Sequence, residues 1–387
     1  MRTQGRHTMR FTHLQLENWR NFSHVDIELQ RRVFLVGPNA SGKSNLLDVF
    51  RFLRDIAGTG GGLQDAVRRR GGVSLLRCLA ARRYSDITIT VRTGAEAEGP
   101  AWTYGLSFNQ DSRQRPIIKR EIVTRGDNHI LSRPNDEDEQ DQERLTQTHL
   151  EQVSANKDFR QIVDLLTSVR YLHIVPQLVR EPDRSVGRAN DPFGGDFLEQ
   201  IARTSEKTRN ARLRYIRKAL AVAVPQLGEL DMERDQRGTP HLRGRYEHWR
   251  PQGAWQQEDA FSDGTLRLIG LLWALLDGSG PLLLEEPELS LHPEVVRYIP
   301  QLVARTQKPS GRQVILSTHS SDLLRDDGIG LDEVILVCPE EEGSSVSPAA
   351  HIRGIRDLLD GGSTIADIVM PRTRPERAEQ LALLFGE

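Results

Sequence analysis

Apolar positions along the chain follow two periods, and the switching between them lays out the elements. Phe11-Thr12-His13-Leu14-Gln15-Leu16 and Val25-Asp26-Ile27-Glu28-Leu29 alternate apolar with polar residues, as half-buried strands do, the first of them as an edge strand. The alternation returns at Ile87, Ile89 and Val91, at Tyr104, Leu106 and Phe108, and at Ile118, Ile122 and Val123. These stretches predict an antiparallel meander with a polar outer face. Other apolar runs do not alternate: residues 33–36, 282–284, 314–316 and 334–337. Each is too short for a helix and reads as a strand buried on both faces. Residues 171–175 read as a further strand, stopped by Pro176. Helical spacing lies between them: residues 45–53, the face Phe159, Ile162, Val163, Leu166 and Val169, residues 197–202, the face Leu213, Ile216 and Leu220, and the leucine-rich stretch 268–276.

Buried strands interleaved with helices predict an α/β sheet, preceded by an N-terminal antiparallel β-lobe. We expect a first lobe over residues 9–136, a helical insertion over 137–225 and a second lobe over 226–387. Residues 1–8 read as an extended start. Thr59-Gly60-Gly61-Gly62 ends one helix, residues 64–70 form a short basic helix or loop, and 187–195 is a Gly/Pro/Asn loop. The acidic stretch 136–143 reads as a solvated, mobile loop.

The chemistry starts where the run 33–36 ends. Gly37-Pro38-Asn39-Ala40-Ser41-Gly42-Lys43-Ser44 has the G-x-x-x-x-G-K-S spacing, between a predicted strand and a predicted helix, that a phosphate-binding loop needs. Glycine lets the backbone wrap an anion without a Cβ clash. Loop amides and the helix N-terminus then present donors and a positive dipole. Asn39, Ala40, Ser41, Gly42 and Asn45 are the candidate cradle. Lys43 would reach the β- and γ-phosphates, and Ser44 would put its hydroxyl on Mg²⁺. A second buried strand ends in Glu285-Glu286. Two carboxylates there suit a metal ligand, Glu285, beside a group that polarises the attacking water, Glu286; otherwise the pair is an exposed turn. His319 ends a neighbouring strand between Thr318 and Ser320, where a γ-phosphate is expected to lie, although a lone His can equally be structural.

Composition narrows the classes. A chain of 387 residues can build a large core or two lobes. A net charge of -2 gives no global pull toward nucleic acid or an anionic membrane. Mean hydropathy is -0.50, no apolar run approaches the roughly 20 residues of a spanning helix, and the N-terminus is polar, so we expect a cytoplasmic protein with no membrane partner. Cys78 and Cys338 lack metal or redox spacing and read as reduced thiols. Arg209, Arg212, Arg214, Arg217 and Lys218 share one helix, as a solvated face or as contacts to a phosphate backbone; Arg68, Arg69 and Arg70 are further candidates for such contacts.

Taken together, these motifs resemble the ABC-type ATPase head of the SMC/RecF/OLD group. Residues 37–44 match its Walker A motif, and 282–286 resemble Walker B with its catalytic glutamate. Leu289-Ser290-Leu291-His292-Pro293 resembles the D-loop, and 314–320 the strand with the switch histidine. Phe261-Ser262-Asp263-Gly264-Thr265 is similar to the signature motif, with Asp263 where many relatives have Gly. Asn18-Trp19-Arg20-Asn21-Phe22 resembles the N-terminal turn whose basic residue, here Arg20, helps bind nucleotide. The metal position holds Glu285 where Asp is usual, and Gln64 and Gln177 are both candidates for the Q-loop glutamine. No heptad arms and no TOPRIM-like acidic cluster are seen.

The resemblance implies ATP and Mg²⁺ as cofactors and Glu286, His319 and Lys43 as the catalytic set. It implies a homodimer, or a higher oligomer, closed through an ATP sandwich in which Ser262 and Gly264 of one copy face the P-loop of the other. It further implies a separately encoded effector, nuclease or toxin, and double-stranded DNA as a ligand, in anti-phage defence. The alternatives are a RecF-like repair ATPase without an effector and a low-turnover nucleotide-dependent scaffold.

Overall fold

The computed structural model describes residues 9–80, 85–94, 100–185, 191, 193–247, 254–374 and 380. In chain order its strands are β1 (Arg10–Trp19), β2 (Phe22–Glu28), β3 (Arg32–Val36), β4 (Ile87–Gly94), β5 (Trp102–Gln110), β6 (Pro116–Arg125), β7 (Asn128–Arg133) and β8 (Arg170–Leu172). There follow β9 (Leu227–Arg234), β10 (Pro240–Tyr246), β11 (Ala254–Gln257), β12 (Leu282–Glu285), β13 (Val314–Thr318), β14 (Val334–Glu340) and β15 (Gly343–Pro348).

The alternating strands form an antiparallel sheet in the order β2-β1-β4-β5-β6-β7. β1 is therefore internal and β2 is the edge, contrary to the sequence expectation, because β4 returns along the side of β1 that β2 leaves free. The non-alternating runs form the second sheet, in the order β15-β14-β3-β13-β12-β8, parallel except for the last hairpin. Its strands are apolar on both faces because both faces are covered. Val33, Leu35, Leu283, Ile315, Ile335 and Val337 pack toward the β-lobe and the helix Lys43–Ala57. Phe34, Val36, Leu282, Leu284, Val314, Leu316, Val334 and Leu336 pack on the other side, with Val296, Ile299 and Val303.

β8 comes from within the stretch expected to be a helical insertion, yet it is the strand beside β12. The rest of that stretch includes the helices Arg160–Thr167, Phe197–Arg203 and Glu206–Ala223. The acidic stretch 136–143 is solvent-exposed as expected, apart from Asp138, but it is not a loop. It forms the helix Asp136–Gln140 and the start of a 3-10 turn, with Asp138 only 1% exposed. The buried guanidinium of Arg133 needs carboxylate partners, and Asp138 supplies one at 2.8 Å.

A third sheet, β11-β10-β9, was not anticipated. Its strands alternate: Met232 and Leu242 are buried against the core with Leu230 packed beside them, and the intervening positions are cross-strand charge pairs, Glu229 opposite Arg245 and Asp231 opposite Arg243. Most of the 187–195 loop lies outside the described residues.

Candidate functional site at the strand ends

The C-terminal ends of β3, β13, β12 and β8 lie side by side, where open parallel sheets collect ligands. β3 runs into the P-loop and then into the P-loop helix, Lys43–Ala57. Ala40 at φ 60° and Gly42 at φ 105° turn the backbone through the left-handed region. A Cβ on Gly42 would come within 2.2 Å of Asn21 Nδ2, so glycine is needed for both reasons. Asn21 is the strut of the loop. Its Nδ2 donates to Ser41 O at 2.8 Å and to Ser344 Oγ at 2.9 Å, and its Oδ1 accepts from Asn45 Nδ2 at 2.8 Å. Trp19 Nε1 donates to Asn45 O at 2.8 Å from the same turn. No side chain caps the P-loop helix and no acid sits in its first turn, so its leading amides are available to an anion.

Lys43 is 5% exposed, and its Nζ donates to the carbonyls of Gly37 and Pro38, both at 2.9 Å. Burial lowers its pKa to about 8, against the pull of Glu286, Glu285 and Glu288. Ser44 is exposed, and its hydroxyl donates to Glu285 Oε1. The other oxygen of Glu285 accepts the Tyr171 hydroxyl, and His173 Nδ1 lies 3.4 Å from the Glu285 carbonyl. Burial and the facing Glu285 charge push the Tyr171 hydroxyl up, so it is a donor at neutral pH. The ring of Tyr171 in turn carries the Arg51 guanidinium at 4.3 Å.

Glu286 leaves β12 with φ 43°, an uncommon conformation for a residue with a side chain. The Ser317 carbonyl fixes it there by accepting from its amide at 3.1 Å. Its Oε1 lies 2.8 Å from His319 Nε2, and that bond lowers its pKa, keeping it ionised. Glu288 has a different job. Its Oε1 accepts from Thr318 Oγ1 at 2.6 Å and from the His319 amide at 3.0 Å, which ties the loop after β12 to the end of β13. Burial raises its pKa, and its Oε2 has no partner among the described residues.

A buried ammonium, an uncapped helix N-terminus and an exposed hydroxyl beside a carboxylate together suit a polyphosphate carrying a divalent cation. The donor set therefore fits Mg²⁺-bound nucleotide.

The signature residues lie on another element. Ser262 is the N-cap of the helix Asp263–Leu276, its Oγ accepting from the Thr265 amide at 3.2 Å. A Cβ on Gly264 would come within 2.5 Å of Ser290 O, so the turn packs against the loop after Glu286. Arg20 Nη2 donates to Asp48 at 3.0 Å, and Arg20 lines a cleft shared with Ser44 and Asn45. Asn39 and Ala40 are exposed on the loop and Ser41 is buried. Gln64 donates to the carbonyls of Pro116 and Thr146, which is a structural role, and Gln177 is exposed.

The basic residues sort differently from their sequence grouping. Arg70 is buried and grips Asp48 and Asp55, so it is not available to a phosphate backbone, and Arg68 and Arg69 pair with Asp65. Arg212 pairs with Asp277 at 2.7 Å, whereas Arg214, Arg217 and Lys218 are exposed. Asn21, Tyr171, His173 and Arg180 were missed as site residues. Tyr171 and His173 lie at the start and middle of the predicted strand 171–175, whereas β8 is Arg170–Leu172, so only the earlier strand end brings them to the edge.

This fold, with its P-loop, is that of an SMC-like ABC/AAA ATPase head. The chain belongs to the family described as "AAA domain, putative AbiEii toxin, Type IV TA system", whose model matches residues 32–326. Among solved structures it is similar to an Smc head bound to the C-terminal winged-helix domain of ScpA. The TM-score there is 0.53 and the identity 14%, over 87% of this chain and 96% of that one. It is also similar to the Smc head domain with an extended coiled coil bound to the C-terminal domain of ScpA, from Pyrococcus furiosus. That likeness has a TM-score of 0.54 and 12% identity, over 92% of this chain and all of that one. No curated protein matches.

Proposed function

We propose that the protein binds ATP with Mg²⁺ and hydrolyses it, and that two copies close on the nucleotide. Lys43 and the loop amides hold the phosphates, and Ser44 and Glu285 hold the cation, which when bound offsets phosphate charge. Glu286 accepts a proton from the attacking water and is aimed by His319. Ser262 and Gly264 meet the nucleotide of the second copy. The observation that carries this reading is the Glu286–His319 contact at 2.8 Å beside a buried Lys43.

The same contact favours a second reading. A base already bonded to His319 is a weaker base, which suits a slow-cycling, nucleotide-gated scaffold. The family description names a putative toxin and a Type IV TA system; we propose in addition that the protein controls a separately encoded effector in DNA-linked defence. Steady-state phosphate release from ATP, with Lys43→Ala as the blank, tests the first reading. Turnover no higher than the blank would leave the scaffold.

A further inference from the structure

The signature turn carries a carboxylate where it is asked to receive a phosphate. Asp263 is the first residue of its helix and its side chain is 40% exposed, next to the Ser262 hydroxyl and the leading amides. An unpaired anion there opposes a second anion brought by another copy of the chain. The backbone cannot back away, because Gly264 already lies against Ser290 O. The charge is met instead by Arg180, whose Nη2 donates to Asp263 Oδ1 at 2.6 Å and to Phe261 O at 2.6 Å. Arg180 stands at the end of the short helix Pro176–Val179, just beyond the strand that brings Tyr171 to Glu285. One helical turn on from Asp263, Arg267 adds a second guanidinium, with its Nε buried and unpartnered, in electrostatic reach of Asp263, Glu286 and Glu288. Asp263 is thus met directly by Arg180 and at longer range by Arg267.

We propose that Arg180 is a positioning residue of the signature: it neutralises Asp263 and so keeps this turn receptive to the nucleotide phosphate held by a second copy of the chain. The inference rests on the ATP-sandwich reading above. It assigns Arg180 a charge role on Asp263, beyond its bond to the Phe261 carbonyl.

The test is ATP-dependent association, followed by sedimentation velocity over a concentration series with ATP and Mg²⁺, in a Glu286→Gln background that preserves the nucleotide. Arg180→Ala is expected to weaken association about tenfold or more, in line with an uncovered charge at an interface. Adding Asp263→Asn to Arg180→Ala should restore most of the loss, and Arg180→Lys, which keeps the charge, should lose little. If Arg180 only braced the Phe261 carbonyl, the Asp263→Asn change would rescue nothing, and that result overturns the inference. Association indifferent to Arg180→Ala overturns it as well, while leaving the sandwich intact. Failure of the Glu286→Gln parent to associate with ATP removes the sandwich reading and the inference with it.

Discussion

Two charged clusters in this molecule are built to opposite ends. In the β-lobe, Arg133, Glu121 and Asp138 have fully buried side chains, and their bonding capacity is filled from within. Glu121 accepts from Arg133, from the amides of His149 and Leu150 and from the Tyr104 hydroxyl. Arg133 also donates to the carbonyls of Arg144 and Gln147. Burial works against the charge of Asp138, but Arg133 and the Asn135 amide bring its pKa down to about 2. At the strand ends, by contrast, among the described residues Lys43 is buried among carbonyls with no ion pair, Ser41 Oγ and Glu288 Oε2 have no partner, and the helix is uncapped. A saturated cluster holds a fold together. An unsaturated one stores capacity for a ligand.

Mutations should therefore separate the two. Arg133→Met leaves the buried Glu121 without its cation and Asp138, among the described residues, with only Arg144 at 3.3 Å, and is expected to cost about 3–5 kcal/mol in stability, read by denaturant unfolding. A loss under about 1 kcal/mol would make the lobe cluster as dispensable as a surface pair. Lys43→Ala should do the reverse. ATP affinity is expected to fall roughly thirtyfold or more, the worth of a charge-assisted contact, with little change in unfolding. Equilibrium binding of labelled ATP beside thermal melts checks both halves of that statement.

The pH dependence sharpens the contrast. Below pH about 8 Lys43 is already protonated before nucleotide arrives. Above it, binding must take up a proton, so affinity is expected to fall with rising pH, by up to about tenfold per unit. Lys43→Arg, which stays charged, should flatten the profile of ATP affinity measured from about pH 7.5 upward. The smallest effect is expected from Tyr171→Phe, which removes one hydrogen bond to Glu285. It should raise the Mg²⁺ concentration needed for half-maximal nucleotide binding about fivefold, the scale of a single neutral-donor bond. An unchanged Mg²⁺ requirement would mean that Ser44 alone sets the position of Glu285.

What the sequence disclosed, and what it hid, follows the same division. Runs such as residues 33–36 and 282–284 were legible because a strand buried on both faces has no polar register to disguise it. The P-loop, Glu285, Glu286 and His319 were legible because each is local to one strand end. Asp138 was misread because an acidic run looks solvated until the buried Arg133 is known, and that partner is chosen by the fold. In β9 and β10 the alternation is present, with Leu230, Met232 and Leu242 facing the core, but it is short and diluted by the charged residues that pair between them, such as Asp231 with Arg243. Tyr171, Asn21 and Arg180 escaped for a third reason. Each acts on a residue far away in sequence, with 114 positions between Tyr171 and Glu285 and 83 between Arg180 and Asp263.

The central claim, that the unsaturated edge performs hydrolysis, stands or falls on Glu286→Gln. The amide keeps the reach of the side chain but cannot accept a proton from water. Lys43, Ser44 and Glu285 are untouched, so ATP binding should persist. Steady-state phosphate release, measured beside ATP binding on the same preparation, is expected to drop at least about a hundredfold, the usual size of a lost general base. Near-normal release with ATP binding retained would contradict the account and move the search for the base away from Glu286.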